Sequence, residues 1–297
     1  MKMNKPAKSS NRLFVSYVLG MLAVVGFGAT LPVTKIALED FSPEFLTMAR
    51  SLIAALLAII VFFGTGKNLY HPKNFQIFIA GVLLIFGFPG FMALAMQTVP
   101  ASHGGVILGF LPLSTAMIAR ILTEEKPTFA FWALSLLGSI VVASYIILKS
   151  DQSGQSGITI GDIYLIIAGL CASGGYVIFG KLSRQTSGWE ITCRSLLLNL
   201  PLILTGFWLT WQPPFTTPST EGIIALAYLG SVSMLLAFFA WNVALAWGGI
   251  ARIGQLQLLQ IFATLLVSAL LLGETIDATT VITAMVITVI IAISRNY

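Results

Sequence analysis

Few side chains in this sequence are equipped for chemistry, and most of them fall inside long apolar runs. Gln257, Gln260, Thr264 and Ser268 recur at steps of three and four, so they share one side of a helix. Gln260 and Thr264 lie near the middle of their run, where a polar group turned toward lipid is costly. That face must look at protein or at water. It is either glue, through interhelical hydrogen bonds, or the wall of a polar cavity, and Gln260 is the member that best suits a cavity. In the preceding run Tyr228, Ser231, Phe238 and Asn242 follow similar spacing with Trp241 adjacent. Aromatic walls with a few placed polar groups are how small-molecule pockets are built. Trp241 also reads as an anchor in the aromatic belt of a membrane interface. Ser114 and Thr115 stand beside Pro112, which frees a backbone carbonyl that a substrate or a hydroxyl can use; the plainer reading is a packing kink satisfied by Thr115 itself. Tyr176 is positioned to line a cavity opposite Gln260. His103, at the edge of its run, is either a titrating gate or proton carrier or an ordinary solvated histidine. Arg50 lies inside a helix end, where a cation could attract an anionic substrate group.

Other chemistry is missing. No carboxylate lies deep in a run; Asp162 and Glu190 fall near run ends, which argues against the commonest design for proton coupling and leaves His103 as the opening for it. The acidic pairs Glu39-Asp40 and Glu124-Glu125 sit in loops, so the clustered acids of a metal-dependent lipid or prenyl transferase are lacking. Cys171 and Cys193 show neither CxxC nor paired spacing, and no disulfide, metal or cofactor is expected.

The elements that must hold these residues are membrane helices. The chain has 297 residues, 57% hydrophobic and 9% charged, against about 25% charged in a soluble domain. A pI near 9.3 invites a nucleic-acid reading, but the basic residues are scattered at run ends instead of clustered on a face. Crossing a bilayer takes about 20 apolar residues. By that measure the sequence predicts an all-α membrane protein of about ten spans: 13–36, 43–63, 75–96, 102–122, 128–148, 161–181, 190–211, 221–246, 251–272 and 279–294. The first is too long, and leads too directly into the next, for a signal peptide. Turn chemistry separates the spans, as at Lys126-Pro127, Gln212-Pro213-Pro214 and Gly273-Glu274. The longest polar break, Ser150 to Gly157, lies near the centre of the chain. With the N-terminus in the cytoplasm, thirteen of the sixteen Lys and Arg residues fall inside and only Lys35, Arg50 and Lys149 outside.

The two halves repeat. Gln97 to Thr128 slides by 149 positions onto Ala246 to Asp277 without a gap; Gly105 meets Gly254, Thr115 meets Thr264 and Glu125 meets Glu274. Gly28, Lys35 and Glu44 match Gly174, Lys181 and Glu190, and after a two-residue gap Arg50-Ser51-Leu52 matches Arg194-Ser195-Leu196. Residues 1–149 and 158–297 each hold five spans, an odd number, so the second repeat is inverted relative to the first. Inverted repeats suit alternating access to a site at the membrane midplane.

Ten spans in two halves, each closing its fourth span on a glutamate (LTEEKPT, LLGETID), together with the opening FGATLPVTKIAL, resemble the EamA-type members of the drug/metabolite transporter superfamily. The likeness covers nearly the whole chain. It departs at one place: the family often has proline in the middle of both the fourth and the ninth span, and here Ile261 stands opposite Pro112. The resemblance implies a central cavity lined by spans 1, 3, 4, 6, 8 and 9 and export of small metabolites such as amino acids. The expectation is a multi-pass transporter of the cell membrane with both termini cytoplasmic. Its partners are a small metabolite and the bilayer, with no nucleic acid. A membrane-embedded transferase and a non-transporting scaffold are the competing classes.

Overall fold

The computed structural model describes residues 7–122, 129–152, 158–183, 186–211, 217–248 and 254–294. Glu124, Glu125, the Gln212-Pro213-Pro214 turn and most of the central polar break lie outside them. All regular elements among the described residues are helical, and each apolar segment marked out above falls on helix.

Segment 1 is α1 (Ala7–Gly28) running into α2 (Thr30–Ala37). Segment 2 is α3 (Pro43–Gly64), started by the Ser42 hydroxyl, which accepts from the Phe45 amide at 3.3 Å, with proline at the first helical position. Segment 3 is α4 (Asn74–Gly81), a π-helical stretch (Val82–Gly87) and α5 (Phe88–Met96). Segment 4 is α6 (Ala101–Ile107), a 3₁₀ turn (Leu108–Phe110) and α7 (Leu111–Leu122). Segments 5 and 6 are α8 (Phe129–Gln152) and α9 (Ile160–Ser183). Segment 7, α10 (Gly188–Leu198) and α11 (Leu200–Thr210), bends by 51°. Segment 8 is α12 (Thr220–Tyr228), a second π stretch (Leu229–Leu236) and α13 (Ala237–Gly248). Segment 9 is a 3₁₀ stretch (Gly254–Leu259) and α14 (Gln260–Leu272), closed by Gly273 at φ +64°; segment 10 is α15 (Ala278–Ser294). Among the described residues five helices can cross a membrane by length and composition, and the bent pair of segment 7 makes six if counted as one crossing. The outward faces carry exposed Leu22, Ile60, Phe75, Ile121, Phe129 and Trp208. Lipid, unlike water, covers such a surface at no cost.

Prolines explain several of the irregularities. Pro89 cannot donate to the Ile85 carbonyl; the ladder loosens into the π stretch, and Ser51 Oγ reaches Ile85 O at 3.4 Å. Pro112 leaves the Leu108 carbonyl free, and the tight turn lets the Leu111 amide take it. Pro32 frees the Gly28 carbonyl, which accepts the Thr264 hydroxyl at 2.9 Å. The two π stretches and the two 3₁₀ stretches fall at matching places when the halves are slid by 149 positions. Segment 9 has its 3₁₀ stretch although Ile261 replaces proline, so the irregularity does not depend on that residue.

Packing between the halves has an exchange pattern. Segment 1 packs on 8 as segment 6 packs on 3; 2 packs on 8 as 7 packs on 3; 1 packs on 9 as 6 packs on 4; and 2 meets 7, 4 meets 9 and 5 meets 10. These pairings are unchanged when segment n is swapped with segment n+5. The largest apolar cluster, including Leu31, Met92, Met96, Ile107, Leu165 and Ile287, is built from both halves.

Candidate functional site

Among the described residues, Arg50 is the charged residue that the fold buries without giving it a carboxylate. It is 4% exposed. Its Nη2 donates to Ser233 Oγ at 3.2 Å, and Ser233 Oγ lies 2.8 Å from Thr30 Oγ1. Arg50 Nε has no hydrogen-bond partner. Tyr228, one helical turn before Ser233, donates its hydroxyl to Gly26 O at 2.9 Å. The arrangement follows from local structure. Ser233 stands five residues beyond Tyr228, off the regular helical face, and the π stretch brings both to the same side. Gly230 lets the backbone of segment 8 close on the Arg50 carbonyl, where a Cβ would collide. A buried guanidinium with an unused donor, beside the Ser233 hydroxyl, is suited to bind a carboxylate.

Its counterpart in the other half shows the contrast. Arg194 donates to Glu190 Oε1 through Nη2 (2.7 Å) and Nε (3.2 Å), reaches the carbonyls of Leu69 and Tyr70, and lies over the Phe62 ring. Lys67 joins Glu190 at 3.3 Å. The difference is one of spacing. Glu190 precedes Arg194 by four residues, one turn; Glu44 precedes Arg50 by six and falls on another face. The same pair of residue types therefore makes a closed ion pair in one half and an open cation in the other.

His103 is not solvated, contrary to the plain expectation. It is buried, with Nε2 at 2.7 Å from Asp162 Oδ1 and its ring stacked on Tyr145 at a centroid distance of 5.1 Å. Asp162, 2% exposed, also accepts from the Thr159 amide and hydroxyl, each at 2.8 Å. Asp162 sits in the first turn of α9, near the end of its run as its position in the sequence implies, and segment 4 covers it. Beside this pair Glu274 accepts from the amides of Ala101 and Ser102 at 2.8 and 2.9 Å, capping α6, and Lys35 approaches it at 3.7 Å. Burial raises the Glu274 carboxyl, but the hydrogen bonds from Ser102 and Ala101 and the charge of Lys35 outweigh it and hold the group below the usual glutamate range.

The remaining candidates divide. Gln260, Thr264, Gly105, Leu31 and Ile261 line a crevice of ≈ 40 Å³ where segments 4 and 9 cross. A water molecule needs about 10–15 Å³ on that measure, so this crevice has room for very few. Thr264 is glue: it is 2% exposed and packed on Gly105, with its hydroxyl spent on Gly28 O and Gln260 O. Ser268, one turn on, is buried without a partner for Oγ. The side chain of Gln257 lies outside the described residues. Ser114 and Thr115 both meet Ser173 of segment 6, at 2.6 and 3.1 Å, so Thr115 does not satisfy the proline kink. Tyr176 packs on the apolar cluster instead of lining the crevice with Gln260. Asn242 lies over Gly188 at the start of α10, away from Gln260, with Trp241 half-buried at the same end. Gly28 abuts Ala263 and Gly175 abuts Leu84, which are close-packing contacts. Thr30, Ser173 and Ser233 were missed by the sequence reading. Ser233 answers the Arg50 guanidinium and holds Thr30, and Ser173 meets the hydroxyls of Ser114 and Thr115.

Against this geometry the comparisons decide the family. The model of the EamA-like transporter family matches residues 14–148 and again 159–295. The chain belongs to the EamA-like transporter family. It is 32% identical over 293 residues to the uncharacterized transporter YdeK of Bacillus subtilis (strain 168), covering 97% of this chain and 99% of that one. It is 22% identical over 236 residues to a probable terminal-alkyne amino-acid exporter of Streptantibioticus cattleyicolor, covering 76% and 75%. A solved crystal structure shares the fold at a TM-score of 0.65 and 18% identity, over 94% of this chain and 98% of that one. This EamA-like chain is an integral, multi-pass membrane transporter, and the names of its family and relatives point to a transporter rather than a transferase.

Proposed function

We propose that this protein is a secondary transporter that exports small metabolites bearing a carboxylate, amino acids among them, by alternating access between two inverted five-helix halves of the cell membrane, both termini cytoplasmic. One observation carries the substrate class: the buried guanidinium of Arg50 has an unused Nε donor and no carboxylate of its own among the described residues. A charge buried in a membrane protein needs a counter-charge, and a substrate carboxylate supplies one. The exchange pattern of segment packing supports two halves related by a twofold axis. The name of the Streptantibioticus relative supports amino acids as the class. Ser233 and Tyr228 orient the group held by Arg50, and Gln260, facing the crevice between segments 4 and 9, contacts the rest of the molecule once that crossing opens.

The test is counter-flow of a panel of labelled amino acids in liposomes containing the purified protein. A charge-assisted hydrogen bond contributes about 1.5–3 kcal/mol, so Arg50→Ala is expected to cut counter-flow on the order of 10- to 100-fold. Arg50→Lys keeps the charge but loses the planar fork, and it recovers only part of the flux. Wild-type flux that survives Arg50→Ala unchanged removes Arg50 from the site.

A further inference from the structure

We infer that His103 and Asp162 form the proton-binding site that drives this transport. The inference rests on the transporter reading above but not on Arg50. The pair is built from both halves: His103 stands in the first turn of α6 in segment 4, and Asp162 in the first turn of α9 in segment 6. The 2.7 Å contact requires a proton on Nε2 or Oδ1. The two Thr159 donors already engage the carboxylate, so one further proton goes to the imidazole, on Nδ1, which no hydrogen bond reaches among the described residues. The pair then passes from a net charge of −1 to neutral, one proton taken up and later released.

The other ionisable groups facing it make the same point. Tyr145 stacks on the ring of His103 and bonds its hydroxyl to Thr280 at 3.2 Å, beside Asp277. Glu274 holds the two residues before His103 and is itself paired with Lys35. Glu274 and Lys35 cancel, and neither touches the imidazole, so the charge that changes is that of the His103–Asp162 pair. The bond between the two residues crosses the contact of segments 4 and 6, and segment 4 also supplies Gly105 and Leu108 to the crevice beside Gln260. A proton arriving at this end therefore changes a bond between two elements of different halves. Alternating access moves such elements relative to each other. Proton entry from outside and metabolite exit from inside are then linked as antiport.

Two measurements on the full chain test this. In nanodiscs of phosphatidylethanolamine and phosphatidylglycerol, with His71→Gln removing the other histidine, nitrogen chemical shifts of His103 are followed from pH 5 to 9. One protonation is expected in that window, displaced in Asp162→Asn; an imidazole of fixed charge throughout overturns the inference. In liposomes of the same lipids, accumulation of the labelled amino-acid panel is driven by an imposed pH gradient and compared with counter-flow at equal pH. Wild type is expected to show at least 10-fold stimulation by the gradient. His103→Gln and Asp162→Asn are expected to keep equal-pH counter-flow, which shows that they are folded, and to lose the stimulation. Gradient-driven accumulation by His103→Gln overturns the inference while leaving the proposed function standing. Absence of any counter-flow by wild type removes the proposed function and this inference with it.

Discussion

Two arginines that look alike in the sequence, Arg50 and Arg194, have different work. Arg194 closes a network with Glu190 and Lys67, and Arg50 is left open. Removing one partner of a buried pair costs about 3–5 kcal/mol. Arg194→Ala is therefore expected to lower thermal stability sharply, by about 2–3 kcal/mol once Lys67 has taken up part of the charge of Glu190, while Arg50→Ala leaves the melting temperature near wild type and cuts flux on the order of 10- to 100-fold. Melting curves alongside counter-flow separate the two. Glu274 gives a pH test. Its carboxyl is held below its unfolded value, so its contribution is complete above the ordinary glutamate range and is lost as pH falls through the lower folded value. Glu274→Gln should flatten stability against pH in that acidic window and lower it at pH 7. Arg50 was legible in the sequence because a charge inside an apolar run is conspicuous. The partnership of His103 and Asp162 was not, because the residues are far apart in the chain and each sits near a segment end, where solvation is the ordinary expectation.

At the scale of elements, the hydroxyls serve the backbone more than a cavity. Pro32 and Pro89 each free a carbonyl, and Thr264 and Ser51 from neighbouring helices take them. The period-3.6 face of segment 9 was readable from sequence as polar. What it faced was not, because glue and cavity wall share one pattern. The proline at the other end of the bond decides for glue at Thr264, and that requires knowing which helices touch. Interhelical hydrogen bonds in membranes contribute roughly 0.6–2 kcal/mol. Thr264→Val should cost about 1 kcal/mol in unfolding experiments with equal-pH counter-flow retained, and Thr264→Ser should restore the stability. The π stretch of segment 8 has no proline to cause it. Its effect is to turn Ser233 toward Arg50, and no regular helical count from Tyr228 would have found that residue.

For the whole molecule, duplication was the most legible feature, since residues 97–128 meet residues 246–277 at an offset of 149 without a gap, where individual motifs are loose. The pairings between segments were not legible, because they arise from the way the halves meet. If the halves are inverted, equivalent loops face opposite sides. With Cys171 and Cys193 replaced by alanine, single cysteines at Tyr70 (between segments 2 and 3) and Thr217 (between segments 7 and 8) should react with an impermeant maleimide from opposite faces of sealed vesicles, Tyr70→Cys from the cytoplasmic one. The open guanidinium in segment 2 has an electrical consequence. A carrier returning without its metabolite moves with Arg50 unneutralised, and one carrying a metabolite of net charge −1 moves without that excess charge. Voltage acts with about 2.3 kcal/mol per elementary charge per 100 mV across the full membrane. An interior-negative potential would thus draw the vacant form toward the cytoplasmic face, so the resting cell would itself reset the carrier for its next load.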